Sequence, residues 1–305
     1  VEYMQISSTI HSTYARMRQR ILALASGALR HIIPRNNWGD SVYALWTFRH
    51  RQGRFPALRS PCRWSDYLFN MKIDGTFLNP LRQYISDKEY VKYYIGSVVG
   101  WQHTIETYEV LHHPSEVDSL QLARFPCVLK PTHLSGPVIF VTDPRQALDR
   151  ETLKSWFTLD YYRGSREQNY KYLRPKVIVE EFFSEDGYTV PSDYKIFCFS
   201  GVPKIIQVDS DRHTRHSRNF YDTHWNRLRF TFQYPEKLED DVMPAQLGKM
   251  LDIAMRLSRP FSFIRVDMYT NGSEIRVGEL TNCPGSAGEK VIPPTAEFEL
   301  GKLFE

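Results

Sequence analysis

Apolar and polar positions along the chain follow two periods, and their order predicts where helices and strands fall. Ile10, Tyr14, Met17, Ile21 and Leu24 recur at three- and four-residue steps and predict a helix over 8–33, ended by Pro34. Arg16, Arg18, Arg20 and Arg30 are interspersed in it. Such a basic amphipathic helix can lie on an anionic membrane surface or dock on a partner; packing on its own domain is the preferred reading. An aromatic, basic stretch follows from Val42 to Arg63, with loops at Pro56 and Pro61, and Trp64 to Lys72 predicts a second helix. Ser86 followed by Glu89 has the capping-box spacing and predicts a helix over Asp87 to Ile95. Lys88 would sit in its first turn, where the helix dipole opposes it; it is either a lysine held for a phosphate or a surface lysine.

Shorter runs read as strands. Phe125 to Lys130 is a buried-type strand and Val138 to Val141 its return, with Thr132 to Pro137 (THLSGP) between them. The tip of such a hairpin, here Ser135 and Gly136, can cover a phosphate chain with backbone N–H groups. Lys130, with a buried stem and an ammonium aimed at one place, has the form of a phosphate ligand. Residues 144–173 read as helix and loop. Val177 to Phe183 is a strand running into Glu180 and Glu181, turned at Asp186-Gly187. Asp193 to Phe199 alternates, with Asp193 and Lys195 on one face and Tyr194, Ile196 and Cys198 on the other. Pro203 to Val208 pairs back. A loop over 209–219 carries Arg212, Arg215, Arg218, His213 and His216, and is either a flexible basic loop for an anionic substrate or plain solvated chain. Its His-x-x-His spacing is poor support for a metal. Residues 238–259 predict an amphipathic helix with Met243, Leu247, Met250, Ile253 and Leu257 on its apolar side.

Near the C-terminal end, Phe261 to Ser286 reads as two strands around an Asn-Gly turn. Arg265, Asp267 and Glu279 interrupt the apolar pattern, and buried charges need a partner. A three-residue loop, Asn271-Gly272-Ser273, sets Asp267 opposite Val277 and Arg265 opposite Glu279, so all three charges share one face. The loop must then be odd in length, most simply with a bulge, because a two-residue turn sends Glu279 to the other face. Two carboxylates and a guanidinium together make a divalent-metal and phosphate site. The alternative is an Arg265–Glu279 salt bridge beside a solvated Asp267, and the hairpin alone leaves the two level.

Composition narrows the classes. A chain of 305 residues has room for two packed domains, and its net charge of +4 suits anionic ligands without being a nucleic-acid signature. The cysteines at 62, 127, 198 and 283 show no Cys-x-x-Cys spacing, which favours a reducing cytoplasm and argues against zinc. No apolar run approaches ~20 residues, and no signal peptide is visible. No Ser/His/Asp or Cys/His arrangement offers a nucleophile.

The series SDKEYVKYYI, VLKPTHLSG, VIVEEFF, DYKIFCFSGVPKIIQVDSDR, FIRVDMY and GELTNCPGSAGEK resembles the ATP-grasp superfamily, and within it the TupA-like branch linked to teichuronopeptide and other polysaccharide biosynthesis. The resemblance covers roughly Asp40 to the last residue. It implies an α+β, ATP-grasp fold in which ATP is held between two α+β subdomains, 86–183 as lid and 184–305 as metal-bearing subdomain, after a helical, aromatic region 1–85. It implies nucleotide lysines at Lys88 and Lys130, an adenine hinge at Glu180, Glu181 and Phe183, and a ribose acid at Glu185 or Asp186. Ser135 and Gly136 would cover phosphates, and Asp193 and Lys195 would lie beneath them. Mg2+ would be held by Asp267 and Glu279, with Arg265 steadying the transferred phosphoryl group and Arg212, with Arg215 and Arg218, holding an acidic substrate. The family's third metal ligand is an Asn two residues after the Glu; here that place is Thr281, with Asn282 beside it. The phosphate hairpin also has less glycine than usual, and Pro137 lacks an N–H donor. The implied chemistry is ATP- and Mg2+-dependent ligation of a carboxylate, a uronic acid or amino acid, to an amine, in the cytoplasm or at the inner face of the membrane. A kinase of the same fold, or a lapsed nucleotide- or glycan-binding subunit, is the rival. No nucleic acid is expected as a partner.

Overall fold

In a computed structural model, which describes residues 29–184, 189, 191–210 and 216–305, the strands form two antiparallel sheets and a small ribbon. Most of the helix expected over 8–33, together with Asp186, Arg212, His213 and Arg215, lies outside the described residues; 29–32 are helical and end before Pro34.

The first sheet contains β1 (Thr107–Leu111), β2 (Cys127–Pro131), β3 (Ile139–Val141) and β4 (Val177–Glu181) in the order β1-β4-β2-β3. Alternation gives each strand one face for a core. Leu111, Cys127, Leu129, Val141, Val177 and Val179 pack with Leu153 and Trp156, so Val128, Lys130 and Glu180 point the other way. Glu180 lies opposite Val128 and Lys130 opposite Ile178, which makes the lysine and the glutamate diagonal neighbours.

The second sheet contains β5 (Asp193–Phe199), β6 (Val202–Ser210), β7 (Ser217–Asp222), β8 (Arg227–Leu228), β10 (Phe263–Thr270) and β11 (Ile275–Thr281), in the order β11-β10-β5-β6-β7-β8. The ribbon pairs β9 (Thr231–Phe232) with β12 (Val291–Ile292). One face of the second sheet, with Ile196, Cys198, Ile264, Val266 and Met268, is covered by the helices Tyr90–Val99 and Leu247–Ser258. The other face changes character along its length. Phe197, Phe199, Phe220 and Phe263 pack with Trp64 and Phe69 of the helix Trp64–Ile73, and with Phe48 of the helix Asn37–Gln52. Trp64 meets Phe263 edge-on at 5.3 Å. Beyond this aromatic half the same face carries Asp193, Lys195, Arg265 and Asp267.

Three sequence expectations are corrected. The helix placed at Asp87–Ile95 begins at Tyr90. Ser86 does not cap it, because its hydroxyl donates to the Arg82 carbonyl at 2.7 Å. Instead Asp87 accepts the N–H groups of Glu89 and Tyr90 at 2.9 and 3.3 Å, so Lys88 stands in a turn before the helix. The division at 86 assigns this helix to the lid, yet Val91, Ile95 and Val99 are buried in the core of the second sheet. The helix expected over 238–259 is confined to Leu247–Ser258; Pro244 precedes it and Met243 is exposed. Among the described residues, no helix is long and apolar enough to cross a membrane.

Candidate active site

The hairpin of β10 and β11 builds the charged face, though not by the expected register. The ladder runs Thr270–Ile275, Tyr269–Arg276 and Met268–Val277, leaving the even loop 271–274 that alone would turn Glu279 away. Gly278 is then left over in a bulge, and pairing resumes at Asp267–Glu279, Val266–Leu280 and Arg265–Thr281. The extra residue restores the face. Val277 and Leu280 consequently both enter the core, a spacing unbroken alternation forbids. Gly278 is required by space: a Cβ there would stand 2.6 Å from Cε2 of Tyr269. Gly278→Ala is expected to push Tyr269 into the cleft it lines and weaken ATP binding roughly tenfold, as overpacking by one methyl does. Titration calorimetry with ATP and Mg2+ checks this; unchanged affinity would show that the ring yields freely.

Pairing across strands lines up Lys195 (β5), Asp267 (β10) and Glu279 (β11) in one row. Arg265 lies across it. Its Nε and Nη2 donate to Asp267 Oδ1 and Oδ2 at 2.7 and 2.6 Å, and Nη2 reaches Thr281 Oγ1 at 3.1 Å and Glu279 Oε1 at 3.6 Å. Asp267 is therefore not a solvated neighbour of an Arg265–Glu279 bridge; it is 2% exposed and is the main partner of the arginine. Lys195 Nζ adds a contact to Asp267 at 3.3 Å and one to Asp193. Burial, with the Glu279 carboxylate, raises the Asp267 pKa overall, to about 6, although Arg265 and Lys195 pull it down. Two short guanidinium bonds and an ammonium identify the ionised form. The Glu279 side chain is 44% exposed to the cleft. Burial would raise its pKa, but Lys88, Arg265 and Lys195 outweigh this and hold it down at about 2.

Thr281 shares the Glu279 face, donating to Glu279 Oε1 at 3.1 Å. Asn282 takes the opposite face: its Oδ1 accepts from Arg82 Nη1 at 2.8 Å and its Nδ2 donates to Ser86 Oγ at 3.1 Å. It buttresses the back of the sheet, away from the carboxylates. Arg218 also departs from expectation. It lies on β7, buried, and donates to both oxygens of Asp209 at 2.7 and 3.3 Å, so it is not an arginine of a free loop.

A cleft of about 480 Å³ separates the two sheets, and Lys88, Lys130, Ser135, Gly136, Glu180, Glu181, Phe183, Asp193, Lys195, Arg265, Asp267 and Glu279 all line it. On the lid side, Lys88 Nζ donates to the Leu134 carbonyl of the phosphate hairpin. Burial lowers the Lys88 pKa, with Glu279 opposing. Glu180 is buried between Lys130, which contacts Oε1, and Lys92, which lies 2.8 Å from Oε2.

Residues that sequence reasoning missed hold these groups in place. Lys92 also donates to the Ile105 carbonyl at 2.9 Å and Thr107 Oγ1 at 2.7 Å, tying helix to lid. Asp87 is gripped by Lys176 at 3.1 Å and Thr132 Oγ1 at 3.2 Å, fixing the turn that carries Lys88. Asp209 faces Lys195 at 3.7 Å from the next strand.

Two sheets clasping a cleft lined by lysines, with a carboxylate–guanidinium row on the larger sheet, are the arrangement of an ATP-grasp fold. The family model described as TupA-like ATPgrasp matches residues 70–305, and the chain belongs to that family. Solved structures that resemble it include D-alanine–D-alanine ligase from Bacillus anthracis, with 18% identity, covering 72% of this chain and 66% of that one, TM-score 0.42. Others are the ATP-grasp ligase PsnB complexed with minimal precursor (11% identity, 72% and 59%, TM-score 0.39) and D-alanine–D-alanine ligase from Helicobacter pylori (15%, 72% and 60%, TM-score 0.37). The chain thus spans 59–66% of the length of these proteins. No curated protein matches it.

Proposed function

We propose that the protein is an ATP- and Mg2+-dependent carboxylate–amine ligase. A carboxylate attacks the γ-phosphorus of ATP, the bond to ADP breaks, and an acylphosphate forms; an amine then makes the C–N bond as phosphate leaves. The observation that carries this reading is the row Lys195, Asp267 and Glu279 with Arg265 across it, at the base of the lysine-lined cleft. Magnesium fits the donors. It takes one or two carboxylates and completes its octahedron with waters and phosphate oxygens. Asp267 and Glu279, with the Thr281 hydroxyl beside them, are such a set. When bound, magnesium supplies charge neutralisation on the phosphate oxygens.

The chain's own residues do the rest. Lys88 and Lys130 would hold the phosphates from the lid, and Lys195 would hold them from below. Arg265, held by Asp267, would meet the charge that grows on the transferred phosphoryl oxygens. No residue nucleophile is needed, because both bonds form between bound substrates. The resemblance to polysaccharide-assembly proteins favours a uronic acid or amino acid as the carboxylate, and the cationic cleft suits either.

The test is ADP release by the purified protein with ATP and Mg2+, over pairs of carboxylates (glucuronate, galacturonate, glutamate) and free amines. ADP is expected only when both partners are present. ADP formed with a sugar hydroxyl and no amine would make the protein a kinase and overturn the reading.

A further inference from the structure

Beside the cleft lies a second pocket of about 760 Å³, and the two share Ser135, Pro137, Arg265 and Glu279. Whatever occupies this pocket therefore reaches Arg265 and Glu279. Its inner wall is charged. Lys72, on the helix Trp64–Ile73, and Glu167 are each only 3% exposed. Lys72 Nζ donates to Ser286 Oγ at 2.7 Å; the Glu167 carboxylate has the Ser286 and Tyr161 hydroxyls beside it, but its Oε1 has no hydrogen-bond partner. Ser286 itself belongs to a run of left-handed residues, Gly285, Ser286 and Ala287, with φ of 56°, 55° and 60°. Such a conformation in Ser and Ala persists only where the surroundings over-determine it. Arg51, exposed at the mouth, reaches the Gly285 carbonyl at 3.4 Å. Tyr161 and Tyr170 line the same pocket, and burial together with the Glu167 carboxylate raises both their pKa values.

A buried carboxylate oxygen without a donor is costly and calls for a cation or N–H group from a ligand. The nearby Lys72 and Arg51 call for an anion. Opposite charges on the wall of one pocket match a molecule that carries both on neighbouring atoms.

We propose that this pocket binds the amine acceptor as a free α-amino acid, with its ammonium on Glu167 and its carboxylate toward Lys72 and Arg51. The inference rests on the ligase reading. Burial raises the Glu167 pKa and lowers that of Lys72, in line with two groups that each gain a charged partner when the ligand enters. The acceptor's nitrogen is then held in the pocket that opens onto Arg265 and Glu279, where the acylphosphate would form.

The experiment is titration calorimetry of the full chain, saturated with ADP and Mg2+, against the common L-amino acids, D-alanine and D-glutamate, each paired with its N-acetyl derivative. At least one free amino acid is expected to bind, with affinity falling at least about tenfold on N-acetylation and in Glu167→Gln. Arg51→Ala, an exposed change that leaves the core intact, is expected to weaken binding about fivefold. Absence of binding across the panel, or equal affinity for wild type and both variants, overturns the proposal. The ligase reading is judged separately: amine-dependent ADP release undiminished in Glu167→Gln refutes this pocket alone. Amino-acid binding without ADP release on any carboxylate refutes the ligase alone.

Discussion

Asp267→Asn will lower ADP release by at least about 10³-fold, because one change removes a proposed metal carboxylate and the group that aims Arg265. In the wild-type protein both oxygens of Asp267 accept from the guanidinium at 2.6–2.7 Å, and Lys195 lies 3.3 Å away. An amide offers one neutral oxygen and an NH2 group that repels both cations. Arg265 and Lys195 would then share a buried site without their common anion, at a cost on the order of 3–5 kcal/mol. The variant will therefore also melt earlier, so activity must be read well below its transition. Two further measurements keep the effects apart. Mg2+ with ATP should raise the wild-type melting temperature more than ATP alone, and in Asp267→Asn that increment should vanish. Thr281→Ala keeps both carboxylates and should lose less than a tenth as much activity. Turnover within tenfold of wild type in Asp267→Asn would reduce the carboxylate to a structural partner of Arg265.

How far the sequence went is clearest in this same hairpin. The strands, their charged positions and the shared face of Arg265, Asp267 and Glu279 followed from period-two alternation, which local chemistry controls. The register did not follow. An odd loop and an even loop with a bulge give Glu279 the same face, and what marks the bulge is the Tyr269 ring, which must move to make room for a Cβ at Gly278. Asn282 illustrates the same limit. Adjacent to Thr281 in sequence, it is committed to Arg82, a residue 200 positions away. Strand ends such as Asp193 and Phe199 were legible to the residue, because apolar alternation stops there. The lid boundary was not, since the helix Tyr90–Val99 has an apolar stripe that would suit either sheet. Lys72 and Glu167 carried no local signal. They come to line one pocket only when the helix Trp64–Ile73 and the loop before β4 meet residues 285–287.

Glu180→Gln will destabilise the protein by roughly 3 kcal/mol at neutral pH and flatten its acid response. Glu180, 4% exposed at its side chain, contacts Lys130 on one oxygen and Lys92 on the other. Burial alone would raise its pKa, but the two ammonium groups prevail and hold it at about 2, against an ordinary 4.5. The sign follows from that depression. The stabilisation is fully present above about pH 4.5, where the unfolded carboxyl is also ionised, and is lost as pH falls through about 2. A carboxyl so displaced contributes roughly 3 kcal/mol at pH 7. The difference in unfolding free energy between wild type and Glu180→Gln, taken by urea titration, should therefore shrink steadily from pH 5 to pH 2. Other carboxylates act alike in both proteins and cancel. Lys130 would lose its anchor in the variant, so the apparent affinity for ATP should fall at least tenfold even where the fold is intact. Parallel acid slopes for the two proteins would mean that Glu180 is not the ion between these lysines. The aim of Lys130 into the cleft would then have to come from the strand alone.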